Sequence, residues 1–223
     1  MLPSRPAAVI FDMDGVLFDT ERLYEQATLA AAAEIGVVMT PEFFRSTVGS
    51  HWPAIRGQLL ACYGENFAAD ELRTASRRIF NDLIDGRLLL KPGAAELLDL
   101  LDELRLPRAI ATSSARTTVE RHLERHGLTD RFQRIVAAGD YERSKPDPEP
   151  FLRAAEGLAV PPQACLAIED SHHGVRSASA AGMMTIMVPD LLPATDELRA
   201  LCLHVMPDLH EVRRLILASR QAA

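Results

Sequence analysis

Asp12 and Asp14 flank a single methionine, a spacing that lets one carboxylate attack an electrophile while its neighbour moves protons. If the electrophile is phosphorus, carboxylate attack on a phosphate ester yields an aspartyl-phosphate and divides one difficult displacement into two easier ones. That step brings an anion to an anion and requires positive charge nearby. A second acidic pair, Glu169-Asp170, is suited to hold Mg²⁺ through oxygen together with Asp12 and Asp14. Lys145 offers a compact ammonium for phosphate oxygens, and Thr112, Ser113 and Ser114 offer hydroxyl groups. Gly15 leaves room for close backbone approach.

The elements that must position these residues can be read from the apolar pattern. Residues 7–11 form an uninterrupted apolar run that ends at Asp12, the signature of a strand buried on both faces. Further strands are expected at 107–111, 134–137, 165–168 and 184–188. They alternate with helices at 94–104, 117–126, 149–158, 174–181 and from about 209. This alternation predicts an α/β fold built on a doubly wound parallel sheet. In such a sheet ligands bind just beyond the C-terminal strand ends. Asp12, Asp14, Thr112, Glu169 and Asp170 all fall there, and Lys145 belongs to the loop after the 134–137 strand. Residues 20–90 break the alternation: they read as helical throughout, with interruptions at Val48-Gly49-Ser50, Tyr63-Gly64 and Asp85-Gly86. The expected organisation is therefore a core of residues 1–19 and 91–223 interrupted by a small helical domain at 20–90, with Asp19 or Thr20 capping its first helix.

Composition narrows the function classes. Of the 223 residues, 48% are hydrophobic and 25% charged, ordinary values for a chain with a packed core. The formal charge of −7 argues against a surface that tracks nucleic-acid phosphates. Cys62, Cys165 and Cys202 have no short C-x-x-C spacing, which fits a reducing, cytoplasmic setting better than a disulfide framework or a zinc knuckle. The run at 7–11 is too short for a membrane span or a signal core, so no membrane partner is expected. His172-His173 reads as a polar helix start, because Mg²⁺ prefers oxygen ligands.

Four stretches carry a family resemblance: Asp12-Met-Asp-Gly-Val-Leu-Phe-Asp19-Thr20, Thr112-Ser113-Ser114, Ser144-Lys145-Pro146-Asp147-Pro148, and Ile168-Glu169-Asp170-Ser171-x-x-Gly174-Val175. In this order they resemble the motifs of the haloacid dehalogenase superfamily, and more narrowly its branch of β-phosphoglucomutases and phosphoglycolate-type phosphatases. The resemblance implies a helical cap inserted after the first motif, which is where residues 20–90 lie. It also implies that Asp12 is the nucleophile and Asp14 the acid/base. Asp12, the carbonyl of Asp14, Glu169 and Asp170 would form the Mg²⁺ site. The dehalogenases lack the second aspartate, so Asp14 points to phosphoryl transfer.

The expected function is hydrolysis of a small phosphomonoester, a sugar phosphate or similar metabolite, by a monomer or small homo-oligomer. Arg45, His51, Trp52 and Arg56 are the candidate cap contacts to the leaving group. A sugar-phosphate mutase is the alternative within the family. Where β-phosphoglucomutase has a histidine after the first motif, this chain has Tyr24, and Val48-Gly49-Ser50-His51-Trp52 lacks the lysine and arginine of the mutase cap loop. An alternative from another class is a noncatalytic, receiver-like phosphate-binding module. Such a module has no need of Asp14 or of the insertion.

Overall fold

Strand β1, Ala8–Phe11, is buried at every residue, as its unbroken apolar run requires. The computed structural model describes residues 1–48 and 52–221. The other strands are β2 (Arg108–Ala115), β3 (Arg134–Ala138), β4 (Cys165–Glu169), β5 (Met184–Met187) and the two-residue β6 (His204–Val205). They form one parallel sheet in the order β3-β2-β1-β4-β5-β6. From β1 the chain builds outward through β2 and β3 on one side, then returns to place β4 against the other side of β1. The switch point therefore lies at the C-terminal end of β1, where the crevice of a doubly wound sheet opens.

Helices α1 (Thr20–Glu34), α2 (Pro41–Thr47), α3 (Trp52–Tyr63) and α4 (Ala69–Arg87) follow β1, and α5 (Ala94–Glu103) to α10 (Leu209–Gln221) belong to the sheet region. On one face of the sheet, Ala8, Ile10, Ala109, Ala111 and Ala167 meet Phe151, Ala154 and Ala155 of α7 (Glu149–Gly157) and Ala178 of α8 (His172–Ala180). The alanines keep the sheet surface shallow, and a full ring from Phe151 fills the space. Contacts divide the chain into one unit of Met1–Phe18 with Leu90–Ala223 and a second of Asp19–Leu89.

Several local expectations need correction. Asp19 occupies the N-cap position of α1 but its side chain makes no capping bond. Gly86 does not stop α4, which runs on to Arg87; an isolated glycine only weakens a helix held by packing. Helix α9 (Asp196–Leu201) and strand β6 were not anticipated, being too short to carry a period. Among the described residues no helix is long and apolar enough to cross a membrane.

Candidate active site

Strand β1 stops at Phe11, so Asp12 and Asp14 lie in the turn beyond it and not on a continuing strand. Alternation along a strand therefore does not aim them to one side, and each carboxylate finds a different partner. Asp12 is anchored by its backbone N–H donating to the Ile168 carbonyl of β4, at 2.9 Å. Its side chain is nearly buried. Lys145 Nζ donates to Asp12 Oδ1 at 2.5 Å and to Glu169 Oε1 at 2.6 Å. The same ammonium lies 4.9 Å from the centre of the Phe151 ring.

Glu169 ends β4 and is completely buried. Its Oε2 accepts from the backbone N–H of Asp170, the backbone N–H of Ser171 and the Ser171 hydroxyl, each at 3.0 Å. These donors sit at the start of α8, where unpaired N–H groups favour a negative charge. The Ser171 hydroxyl in turn accepts from Gly174 N–H, completing an N-cap. Glu169 thus presents only Oε1 to the neighbouring acids. Gly174 has to be glycine, because a β-carbon there would collide with the Glu169 carboxylate. Gly15, with φ of +78°, meets the same limit against the Asp170 carboxylate.

Carboxylate oxygens of Asp12, Glu169 and Asp170 all lie within 4.8 Å of one another. Three carboxylates around a single lysine leave an excess of negative charge in a site mostly shut off from water. Burial pushes the Asp12 carboxyl up to about 8, with Lys145 opposing and Glu169 and Asp14 adding to the rise. Burial works against the Lys145 charge as well, but Asp12 and Glu169 outweigh it and hold the ammonium above lysine's ordinary range. The oxygen donors and the surplus charge fit a hard divalent cation such as Mg²⁺.

The Asp14 side chain stands outside that cluster. The Ser114 hydroxyl donates to Asp14 Oδ2 at 2.6 Å, joining the turn after β1 to the end of β2. Thr112 is buried, and its Oγ1 accepts from Ser114 N–H at 3.0 Å, which fixes the strand end that carries Ser114. Ser113 is exposed. Lys145 is delivered by a loop in which Glu149 accepts from the backbone N–H groups of Glu142 and Arg143, at 3.2 and 3.0 Å.

The inserted unit treats the remaining candidates differently. Arg45 is paired with Glu25 at 3.0 Å, and Arg56 with Asp70 at 3.6 Å. Trp52 carries Arg73, whose guanidinium lies 4.6 Å from the ring centre. His51 lies outside the described residues. Two features escaped the sequence reading, the Ser114–Asp14 bond and Arg73. Ser114 had been singled out only as one of three hydroxyls, and no local pattern marks Arg73 among the arginines of α4.

A parallel sheet interrupted after its first strand by helices, with carboxylates and a lysine gathered at its switch point, defines a doubly wound α/β protein. Residues 9–188 match the model of the haloacid dehalogenase-like hydrolases, and the chain belongs to that family. It is 33% identical to Protein CbbY of Rhodobacter capsulatus, over 86% of this chain and 89% of that protein. It is also 33% identical to a phosphorylated carbohydrates phosphatase of Thermotoga maritima, over 80% of this chain and 83% of that protein. In structure it is similar to a hydrolase of the family from Deinococcus radiodurans crystallised with phosphate and sodium. The TM-score is 0.82 at 27% identity, covering 97% of each chain.

Proposed function

We propose that this protein is a Mg²⁺-dependent phosphatase of small phosphomonoesters of the sugar-phosphate class, working through an aspartyl-phosphate on Asp12, with the inserted helical unit as its cap. The observation that carries this reading is the division of labour between the two aspartates: Asp12 is locked to Lys145, and Asp14 is held separately by Ser114.

Lys145 fixes Asp12 Oδ1 and leaves the other oxygen to attack phosphorus. As the bond from Asp12 to phosphorus forms, the ester P–O bond breaks and Asp14 gives its proton to the departing alkoxide, releasing the alcohol. Water then attacks the phosphoryl group, Asp14 takes the water proton, and the bond to Asp12 breaks to free inorganic phosphate. Ser114 keeps Asp14 in one orientation through both transfers, and the Thr112 hydroxyl, which accepts from Ser114 N–H, would donate its own proton to a phosphate oxygen. Asp12, Asp170, Glu169 Oε1 and the Asp14 carbonyl would hold Mg²⁺, which supplies charge neutralisation between nucleophile and phosphate.

Hydrolysis is favoured over the mutase reaction because Tyr24 packs against Phe80 and Phe44, with ring centres 5.2 and 6.1 Å away, and no imidazole stands at that place. The name of the Thermotoga maritima relative supports phosphorylated carbohydrates as the substrate class. The test is phosphate release from a panel of phosphorylated sugars, short acids and nucleotides, with and without EDTA. Release from sugar phosphates that stops with EDTA and returns with Mg²⁺ is expected. A panel without any release overturns the proposal, and isomerised sugar without free phosphate replaces it with the mutase.

A further inference from the structure

Lys145 and Phe151 belong to one segment, joined by Pro146-Asp147-Pro148, with Phe151 in the first turn of α7. The connection is pinned at its centre. The buried Ser177 of α8 donates its hydroxyl to the Asp147 carbonyl at 2.5 Å, and Glu149 N–H donates to Asp147 Oδ1 at 3.0 Å. The segment therefore delivers an ammonium and an aromatic face to the same place, with Lys145 Nζ over the Phe151 ring at 4.9 Å from its centre. The ring is fully buried and packs in a cluster with Ala8, Ala109, Ala111 and Ala167 of the sheet. A leucine would fill much of that space but would offer no π face. The Lys145 side chain is only 6% exposed, so its ammonium has given up most of its water. Its hydrogen bonds run to Asp12 and Glu169, carboxylates held by different strand ends. The ring adds attraction from a third group, and a cation is drawn to an aromatic face most strongly where it is desolvated.

We infer that Phe151 is a positioning residue for phosphoryl transfer: its ring face holds the Lys145 ammonium beside Asp12, so that the rate depends on the electron density of this ring as well as on its size. This rests on the phosphatase reading and adds to it a residue that acts only through Lys145. The two carboxylates keep the lysine charged, and the ring keeps it in place. When an Asp12 oxygen bonds to phosphorus, its negative charge is spent in the new bond and its pull on the ammonium weakens. The pull of the ring does not change in that step, and Lys145 stays where charge develops on the phosphoryl oxygens. A saturated side chain of the same size gives no such hold.

The experiment replaces Phe151, in the full chain, with phenylalanines carrying one, two and three ring fluorines, which drain electron density from the face and nearly preserve its shape. Phosphate release is measured with Mg²⁺ and either an aryl phosphate or the sugar phosphate that reacts fastest. The expected result is a kcat that falls stepwise with each fluorine, to a loss of about tenfold at three, with melting temperature unchanged. A purely structural ring would leave kcat flat across the series, which overturns the inference and leaves the phosphatase reading intact. A second readout needs no turnover. Lys91 and Lys145 are the only lysines of the chain, so lysine isotope-labelled at the ε-carbon gives two signals by NMR. The ring current of Phe151 should displace the ε-protons of Lys145 upfield, and Phe151→Leu should abolish the displacement. An undisplaced signal in the wild type refutes the contact, and the inference with it, whether or not the variants fold. A wild type inert towards every ester overturns both the phosphatase reading and the effect of the ring on its rate.

Discussion

The unit built on the sheet and the unit inserted into it treat charge in opposite ways. In the sheet unit, acids at and just beyond the ends of β1 and β4 are drawn into a nearly dry corner around one lysine, so the site is short of positive charge. In the inserted unit, carboxylates are spread along helix surfaces and pair singly with arginines, Glu25 with Arg45, Asp70 with Arg56 and Glu34 with Arg78. The first arrangement is the one on which the proposed Mg²⁺ site and aspartyl-phosphate chemistry rest. The second is an adjustable surface on a helix pair, where side chains can change without disturbing a sheet. The two units therefore differ in tolerance for substitution: a change in the buried cluster disturbs several partners at once, and a change at a helix-surface pair disturbs one.

The sharpest break in this comparison is at the nucleophile. Asp12→Asn should reduce phosphate release by roughly 10³-fold or more while leaving the circular dichroism spectrum unchanged, because the amide keeps the shape but cannot attack. A variant with a substantial fraction of wild-type turnover would remove Asp12 from the role.

Lys145→Met should come next, with a loss of about 10²-fold in kcat. It should also cost about 3 kcal/mol in urea unfolding, since Asp12 and Glu169 lose their shared partner. Gly174→Ala drives a methyl group into Glu169, so stability should fall by about 2 kcal/mol and the Mg²⁺ concentration for half-activity should rise. Normal Mg²⁺ dependence in that variant would show that Glu169 can move away freely.

A smaller effect is expected outside the site. Hydrogen bonds from Arg153 and from the Arg143 and Glu142 backbone hold the Glu149 carboxyl down at about 2, against an ordinary value of 4.5. A depressed carboxyl stabilises the fold fully above pH 4.5, and that contribution disappears as pH falls through about 2. Melting temperature measured over this window should therefore fall less steeply in Glu149→Gln than in the wild type. The smallest change is expected for Arg45→Ala on the inserted unit, under about 1 kcal/mol, because its pair with Glu25 is partly exposed. A larger loss would mean that the inserted unit is as dependent on single charges as the sheet unit is.

Much of this was legible in the order of residues. Apolar runs marked the five longer strands, unbroken in β1 and over residues 165–168 and interrupted by Arg108, Arg134 and Thr185 in the others, while the hydroxyls of Thr112, Ser113 and Ser114 turned out to lie inside β2 and not beyond it. The acids, hydroxyls and lysine could be assigned to strand ends by the rule for doubly wound sheets, and four ordered motifs pointed to the family. Short elements such as α9 and β6 were not legible, because six or two residues cannot display a period. Nor were the bonds that give the aspartates different surroundings, since Ser114 and Asp14 are 100 residues apart and Lys145 and Asp12 are 133 apart.

By itself, then, the sequence determined which groups are available and on which edge of the sheet they emerge, because strand periodicity and chain connectivity are local or topological properties. Only the tertiary structure decided which carboxylate meets which donor and why positions 15 and 174 admit no side chain. Those outcomes depend on ångström-scale distances between segments remote in the chain, and hydrogen bonding and electrostatics are steep functions of such distances.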